Sequence, residues 1–124
     1  MDAKELLERY AKGERDFKNA QLSGIDLKGA DLSKINLLNA NLSGSELSEA
    51  IFTEANLYGA NLSRAYLSGA DLSKADLSKA NLSNTKLDNA NLSDAELNSV
   101  SLTKASLKEA DLSRANLIDL FKFD

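Results

Sequence analysis

Ala70-Asp71-Leu72-Ser73-Lys74, Ala75-Asp76-Leu77-Ser78-Lys79, Ala80-Asn81-Leu82-Ser83-Asn84: three successive blocks of five residues repeat one pattern. The register runs from Asp16 to Leu117 without a slip. From Phe17 to Leu117 every fifth residue is Leu, except for Phe at 17 and 52. Two positions before each stands Ala in most repeats, the exceptions being Arg15, Ile25, Ile35, Ser45, Thr85 and Val100. A period of five suits neither an isolated helix nor an isolated strand. Successive Leu would advance by about 500° around a helix and spiral over its whole surface. In a flat strand, residues five apart point to opposite faces. The chain must therefore turn once per repeat, so that each Leu returns to a common interior. The preceding Ala shares the parity of Leu and points inward with it. The other three positions are nearly all Asp, Asn, Ser, Lys, Glu or Gly, which suit solvent and turns.

These requirements describe an all-β solenoid of short parallel segments, with coils stacked about 4.8 Å apart. Each coil touches only its neighbours, and stability accumulates along the stack. The A-(D/N)-L-x-x pattern resembles the pentapeptide-repeat family, over roughly Asp16 to Leu117 and 21 in-register repeats. The resemblance implies a right-handed quadrilateral parallel β-helix with four repeats per coil. On this chain that makes about five coils and a tower about 25 Å tall. The period alone does not fix how many repeats close a coil. The chain resembles the small repeat-only members common in cyanobacteria.

Composition narrows the chemistry. The chain has 124 residues, enough for a single domain, with no Cys, His, Pro or Trp. Without Cys there is no disulfide framework, thiol nucleophile or thiolate metal site. Without His the commonest general base and metal ligand are missing. The formal net charge of -4 is ordinary for a soluble protein and argues against direct nucleic-acid binding. The charged start, Met1-Asp2-Ala3-Lys4-Glu5, has no apolar run after it, so neither a signal peptide nor a membrane span is expected. A cytoplasmic location follows as the default.

Three segments are expected: a helical cap over 1–14, the repeat over 15–117, and a C-terminal cap or contact segment over 118–124. Asp2 and Glu5 have capping-box spacing, and Gly13 is placed to end a helix over 2–12. Leu6, Leu7 and Tyr10 are expected on one face, covering the open end where Phe17 and Leu22 would otherwise meet water. A partner-binding helix is the rival reading. Arg15, in an inward position, is expected to escape to solvent. Ile25 and Ile35 are expected to fill space near the cap. Residues 20 apart should stack if four repeats close a coil. The structural core then includes Phe17, Leu37, Phe52, Leu57, Leu72, Leu77 and Leu97. Gly24, Gly29, Gly44, Gly59 and Gly69 sit at corners and cluster in the first half, which predicts a change of turn type along the tower. After Leu117 the repeat breaks, and Phe121 and Phe123 can cap that end or pair end to end with a second copy. Monomer and end-to-end homodimer both stay open.

No catalytic, cofactor or metal site is expected. The Ser at 63, 68, 73, 78 and 83 are repeat positions with no activating neighbour. The recurring Asp and Asn lie on different faces, and the Gly-rich calcium-binding repeat is absent. Outward Leu38, Ile51, Tyr58 and Tyr66 are the candidate protein contact, with Leu38 and Tyr58 neighbours on one face. Two functional classes follow. The first is a non-catalytic structural or protein-binding module whose partner is unknown. The second comes from the resemblance: some members inhibit DNA gyrase, a type II topoisomerase, by imitating duplex DNA. Basic residues such as Lys34, Arg64 and Lys74 interrupt the acids along the tower, which weighs against the second.

Overall fold

The computed structural model describes residues 1–119; the capping candidates Phe121 and Phe123 lie outside the described residues. Every backbone pairing in the repeat joins residues 20 apart in parallel, from Asp16 with Asn36 through to Glu96 with Asn116. Twenty residues therefore make one coil, with four five-residue sides. Each side pairs through a single bridging residue, the one before the central Leu.

The repeat is a complete hydrogen-bonding unit, as residues 36–40 illustrate. Asn36 N–H donates down to Arg15 O at 2.8 Å, and Leu37 N–H donates up to Asn56 O at 2.8 Å. Asn39 N–H donates up to Tyr58 O at 2.9 Å, and Ala40 N–H closes the corner on Leu37 O at 2.9 Å. The fifth donor, Leu38 N–H, goes to the Asn36 side-chain Oδ1 at 3.1 Å. Asp or Asn before the Leu thus has a structural role: its short side chain accepts the one N–H that the ladder leaves over.

The corner explains the next position. The second residue after each Leu has positive φ at every repeat, from Asn19 at 61° to Asp119 at 54°. A four-residue turn with positive φ at its third position only is type II. The turn type does not change along the tower, contrary to the expectation drawn from the glycines. Lys, Glu, Arg, Asn, Asp and Ser take the same left-handed conformation where Gly is missing. The square path dictates the backbone, and these residues bear roughly 1–2 kcal/mol each for it. Burying one Leu contributes about 1.5–3 kcal/mol, so each repeat depends on its central side chain.

The interior is filled along its length. Phe17, Leu37, Phe52, Leu57, Leu72, Leu77 and Leu97 are all buried, and Ala lines the remaining space. Ile25 and Ile35 are buried in the early coils. Ser45 and Thr85 replace inward Ala without leaving a stranded hydroxyl: each donates to the carbonyl three residues back, at 2.5 and 2.7 Å.

One helix, α1 (Ala3–Ala11), closes the N-terminal end. Asp2 Oδ1 accepts from Glu5 N–H at 2.9 Å, while the Glu5 carboxylate turns to Arg9 instead of completing the box. Gly13 at φ 99° ends the helix: Gly13 N–H reaches Tyr10 O and Glu14 N–H reaches Arg9 O, a Schellman closure. Leu6 is fully buried and Tyr10 donates its hydroxyl to Ser33 O at 2.8 Å. Leu7 is 38% exposed and takes no part in the cap. The reason is geometric: Ala3, Leu6 and Tyr10 share a stripe, and Leu7 stands about 100° round from Leu6. Arg15 is exposed, its guanidinium 3.6 Å from the Tyr10 ring centroid and bonded to Tyr10 O.

Replacing mid-tower Leu72 by Ala should lower unfolding free energy by about 2–5 kcal/mol in denaturant titration, because the packed ladder cannot collapse onto the void. A loss under about 1 kcal/mol would contradict a filled interior.

Candidate functional site

With the interior filled, the outer sides are what remains for function. Only the residues flanking each central Leu and the corner residues face outward. Residues 20 apart form vertical columns, which sorts the surface by side.

The first side carries Asp16, Asn36, Asn56, Asp76, Glu96 and Asn116 at its bridging positions. Leu38 and Tyr58 are one coil apart on it, both half-buried, and Lys79 Nζ lies 5.9 Å from the Tyr58 ring centroid. The second side is neutral at its bridging positions: Gln21, Asn41, Asn61, Asn81 and Ser101. The third carries Asp26, Glu46, Tyr66, Lys86 and Ser106, and the fourth Asp31, Ile51, Asp71, Asn91 and Asp111. The four contact candidates therefore fall on three sides. Leu38 and Tyr58 are brought together; Ile51 (36% exposed) and Tyr66 (45% exposed) are not part of that pair.

At Ile51 and Tyr66 the Asp/Asn acceptor is missing. The N–H groups of Thr53 and Ser68 consequently find no acceptor among the described residues. Ser106 breaks the same rule, but Asp88 from the coil below compensates. Its carboxylate accepts Lys108 N–H at 3.0 Å and the Ser106 hydroxyl in a very short contact.

The corner of the fourth side carries Lys34, Glu54, Lys74, Asp94 and Arg114, charges that alternate up the tower. Arg114 holds Asp94 through two bonds at 2.8 and 3.0 Å, and Lys34 lies 3.9 Å from Glu54. Stacking by 20 would have found this column in the sequence had it been applied to the corner residues. Interspersed charge of this kind leaves no continuous acidic face.

The carboxylates titrate as their bonds require. The Ser33 hydroxyl and then its N–H hold Asp31 below its ordinary value, and Ser113 does the same for Asp111. Ser48 lowers Glu46, Ser106 lowers Asp88 and Arg114 lowers Asp94. The Ser33 and Ser113 hydroxyls each donate to the carboxylate two residues back, within the repeat's own turn. A shallow cleft of about 350 Å³ lies between the start of α1 and the first coil. It is lined by Met1, Asp2 and Ala3 of the helix start and by Gln21, Leu22, Ser23, Ile25 and Asp26 of the first coil. Among the described residues no group of three acids could hold a metal ion, and no helix is long and apolar enough to cross a membrane.

A family model described as pentapeptide repeats matches in 8 copies, over residues 16–53, 55–94 and 80–119. No curated protein matches the chain. Among solved structures, a pentapeptide repeat protein from the cyanobacterium Cyanothece 51142 is 31% identical, with a TM-score of 0.76 over 98% of this chain and 99% of that one. A pentapeptide repeat protein from Nostoc PCC 7120 is also 31% identical, covering 86% and 96% with a TM-score of 0.46. Another, from the Arabidopsis thaliana thylakoid lumen, is 32% identical, covering 88% and 69% with a TM-score of 0.37.

The lowered carboxylates set an acid limit. A depressed folded-state value contributes stability that is present above the unfolded value, about pH 4, and is lost as pH falls through the lower folded value. The melting temperature should hold steady above about pH 5 and drop below about pH 4. An Asp31→Asn/Asp111→Asn variant keeps the side-chain acceptors and should show a smaller acid drop in thermal melts. Equal acid sensitivity in both proteins would contradict the role assigned to these bonds.

Proposed function

Because the chain belongs to the pentapeptide-repeat family, we propose that it is a non-catalytic structural and protein-binding module built as a right-handed quadrilateral tower. The observation that carries this reading is the interior filled with buried Leu, Phe and Ala, which leaves only rigid outer sides to act. Each side is fixed by the inter-coil ladder, so its side chains are presented with little conformational entropy left to lose on binding. The partner is a protein, engaged on the first side, where Leu38 and Tyr58 form an apolar step between Asn36, Asn56 and Lys79. The module takes no cofactor, does not bind nucleic acid directly, and works in the cytoplasm away from membranes.

The interspersed charges argue against imitation of duplex DNA. Lys34, Lys74 and Arg114 stand among Asp31, Asp71 and Asp111 on the fourth side, and Arg64 and Lys104 mark the corner of the second. Supercoiling by purified gyrase should therefore proceed unchanged with this protein in large excess at stated salt. Inhibition that weakens when Asp31, Asp71 and Asp111 are neutralised together would overturn the reading. For the first side, a Leu38→Ser/Tyr58→Ser variant should fold as the parent does and lose its bound protein. A double variant that keeps every partner would remove this face from the proposal.

A further inference from the structure

We propose that the third side is a contact face for the third side of a second copy, two towers lying side by side and parallel about a two-fold axis that runs along them. The first observation is where the Asp/Asn rule is given up. On this side Asp26 keeps it, and Glu46 still accepts Ser48 N–H at 2.9 Å. Tyr66, Lys86 and Ser106 then hold three successive coils without it, whereas no other side departs in two successive coils. The N–H groups of Ser68 and Asp88 find no acceptor among the described residues as a result. Tyr66 and Lys86 thus do nothing for the backbone of their own repeat, and both side chains are exposed.

The second observation is shape. Tyr66, 45% exposed, stands out on one flank of buried Leu67, and small Ser68 and Gly69 follow on the other. A knob and a hollow at one height complement each other under a rotation that exchanges left and right. A two-fold axis along the tower, in front of the Leu column, performs that exchange at every coil. It lays each Tyr66 over the copy's Ser68, where the phenol oxygen can accept the unused N–H. The contact is isologous and closes at two chains.

The third observation is charge, and it identifies a second copy as the occupant. The same exchange sets Asp26 against the copy's Lys28 and Lys86 against the copy's Asp88, with both reciprocal pairs. Glu46 meets Ser48 and Ser106 meets Lys108, so no rung opposes like charges. An axis across the face would make the towers antiparallel. It would oppose Lys28 to the copy's Lys108 and stack Tyr66 on Tyr66, leaving Ser68 N–H unserved. Exposed ion pairs are individually weak, so they select the arrangement more than they supply affinity. At about 4.8 Å per coil and about 3.3 Å per residue the face covers roughly 300–400 Å². That is about half of the roughly 800 Å² per partner in a standard interface, so the dimer is transient, with a Kd on the order of 0.1–1 mM. The third side lies opposite the first. If the first side binds protein as proposed above, the dimer presents Leu38 and Tyr58 twice, facing away from each other, and a partner with two sites gains avidity.

Sedimentation equilibrium on the 124-residue protein tests this independently of the first side. Between about 20 µM and 1 mM at low salt, the mass should rise from 13.4 kDa toward twice that value. Tyr66→Asn restores the acceptor for Ser68 N–H, so it should fold as the parent does, and it should raise the Kd on the order of tenfold. Lys28→Glu faces Asp26 in the parallel dimer and Lys108 in the antiparallel one; it should weaken association about three- to tenfold. Amide exchange at Ser68 should slow by about two- to fivefold across the same range, while Thr53, which lacks its acceptor on the fourth side, should not change. A parent protein monomeric at 1 mM would overturn the proposal. So would a Tyr66→Asn protein that associates like the parent, or a Lys28→Glu protein that associates equally or more tightly. Loss or retention of a partner on the Leu38–Tyr58 face leaves these outcomes unchanged, so the two readings fail separately.

Discussion

A backbone that turns every five residues must find an acceptor for each N–H it exposes, and this constraint shapes the whole molecule. Two donors in each repeat point to the next coil, one to the previous coil, and one closes the corner. The fifth is left over, because no second turn bond is available to it. A carboxylate or amide two residues back accepts it, as Asn41 does for Ser43 and Asn61 for Ser63. The recurring Asp/Asn therefore belongs to the backbone chemistry as much as Leu belongs to the core. Where it is replaced, a Glu can accept in its stead, as Glu46 does from Ser48, a neighbouring coil can compensate, as Asp88 does, or the N–H finds no acceptor among the described residues, as at Thr53 and Ser68.

The same constraint explains why function must lie outside. Both the interior and the backbone are committed, and stability is shared between adjacent coils. A catalytic cleft would require removing core side chains that offset the strained corners. Outside the Asp/Asn position the outer columns are free of that burden, since a side chain there accepts no backbone N–H of its own repeat. They can vary coil by coil, as Lys34, Glu54, Lys74, Asp94 and Arg114 at the corner of the fourth side illustrate.

Much of this was legible in the sequence. The uninterrupted Leu period required a solenoid, and the buried positions followed from parity. Four repeats per coil came from family resemblance and not from spacing, because any closed polygon satisfies a five-residue period. The turn type was misjudged from Gly24 to Gly69, since composition reports which residues relieve a conformation and not which corners adopt it. Leu7 was assigned to the cap because adjacent Leu residues both look apolar, although only one can face the tower. Ile51 and Tyr66 share with Leu38 and Tyr58 only an outward apolar side chain, and the square path places them on different sides. The alternating corner charges emerge only when residues are sorted into columns, a step that needs the coil length first.

Amide hydrogen exchange, resolved residue by residue, tests the central claim most directly. Ser63 and Ser83 N–H, each bonded to an Asn side chain at 3.0 Å, should exchange slowly beside the protected ladder amides of Leu62 and Leu82. Thr53 and Ser68 N–H, in equally central coils, should exchange fast while Phe52 and Leu67 stay protected. Thr53 and Ser68 exchanging as slowly as Ser63 and Ser83 would show that the side-chain acceptor is not what satisfies the fifth donor.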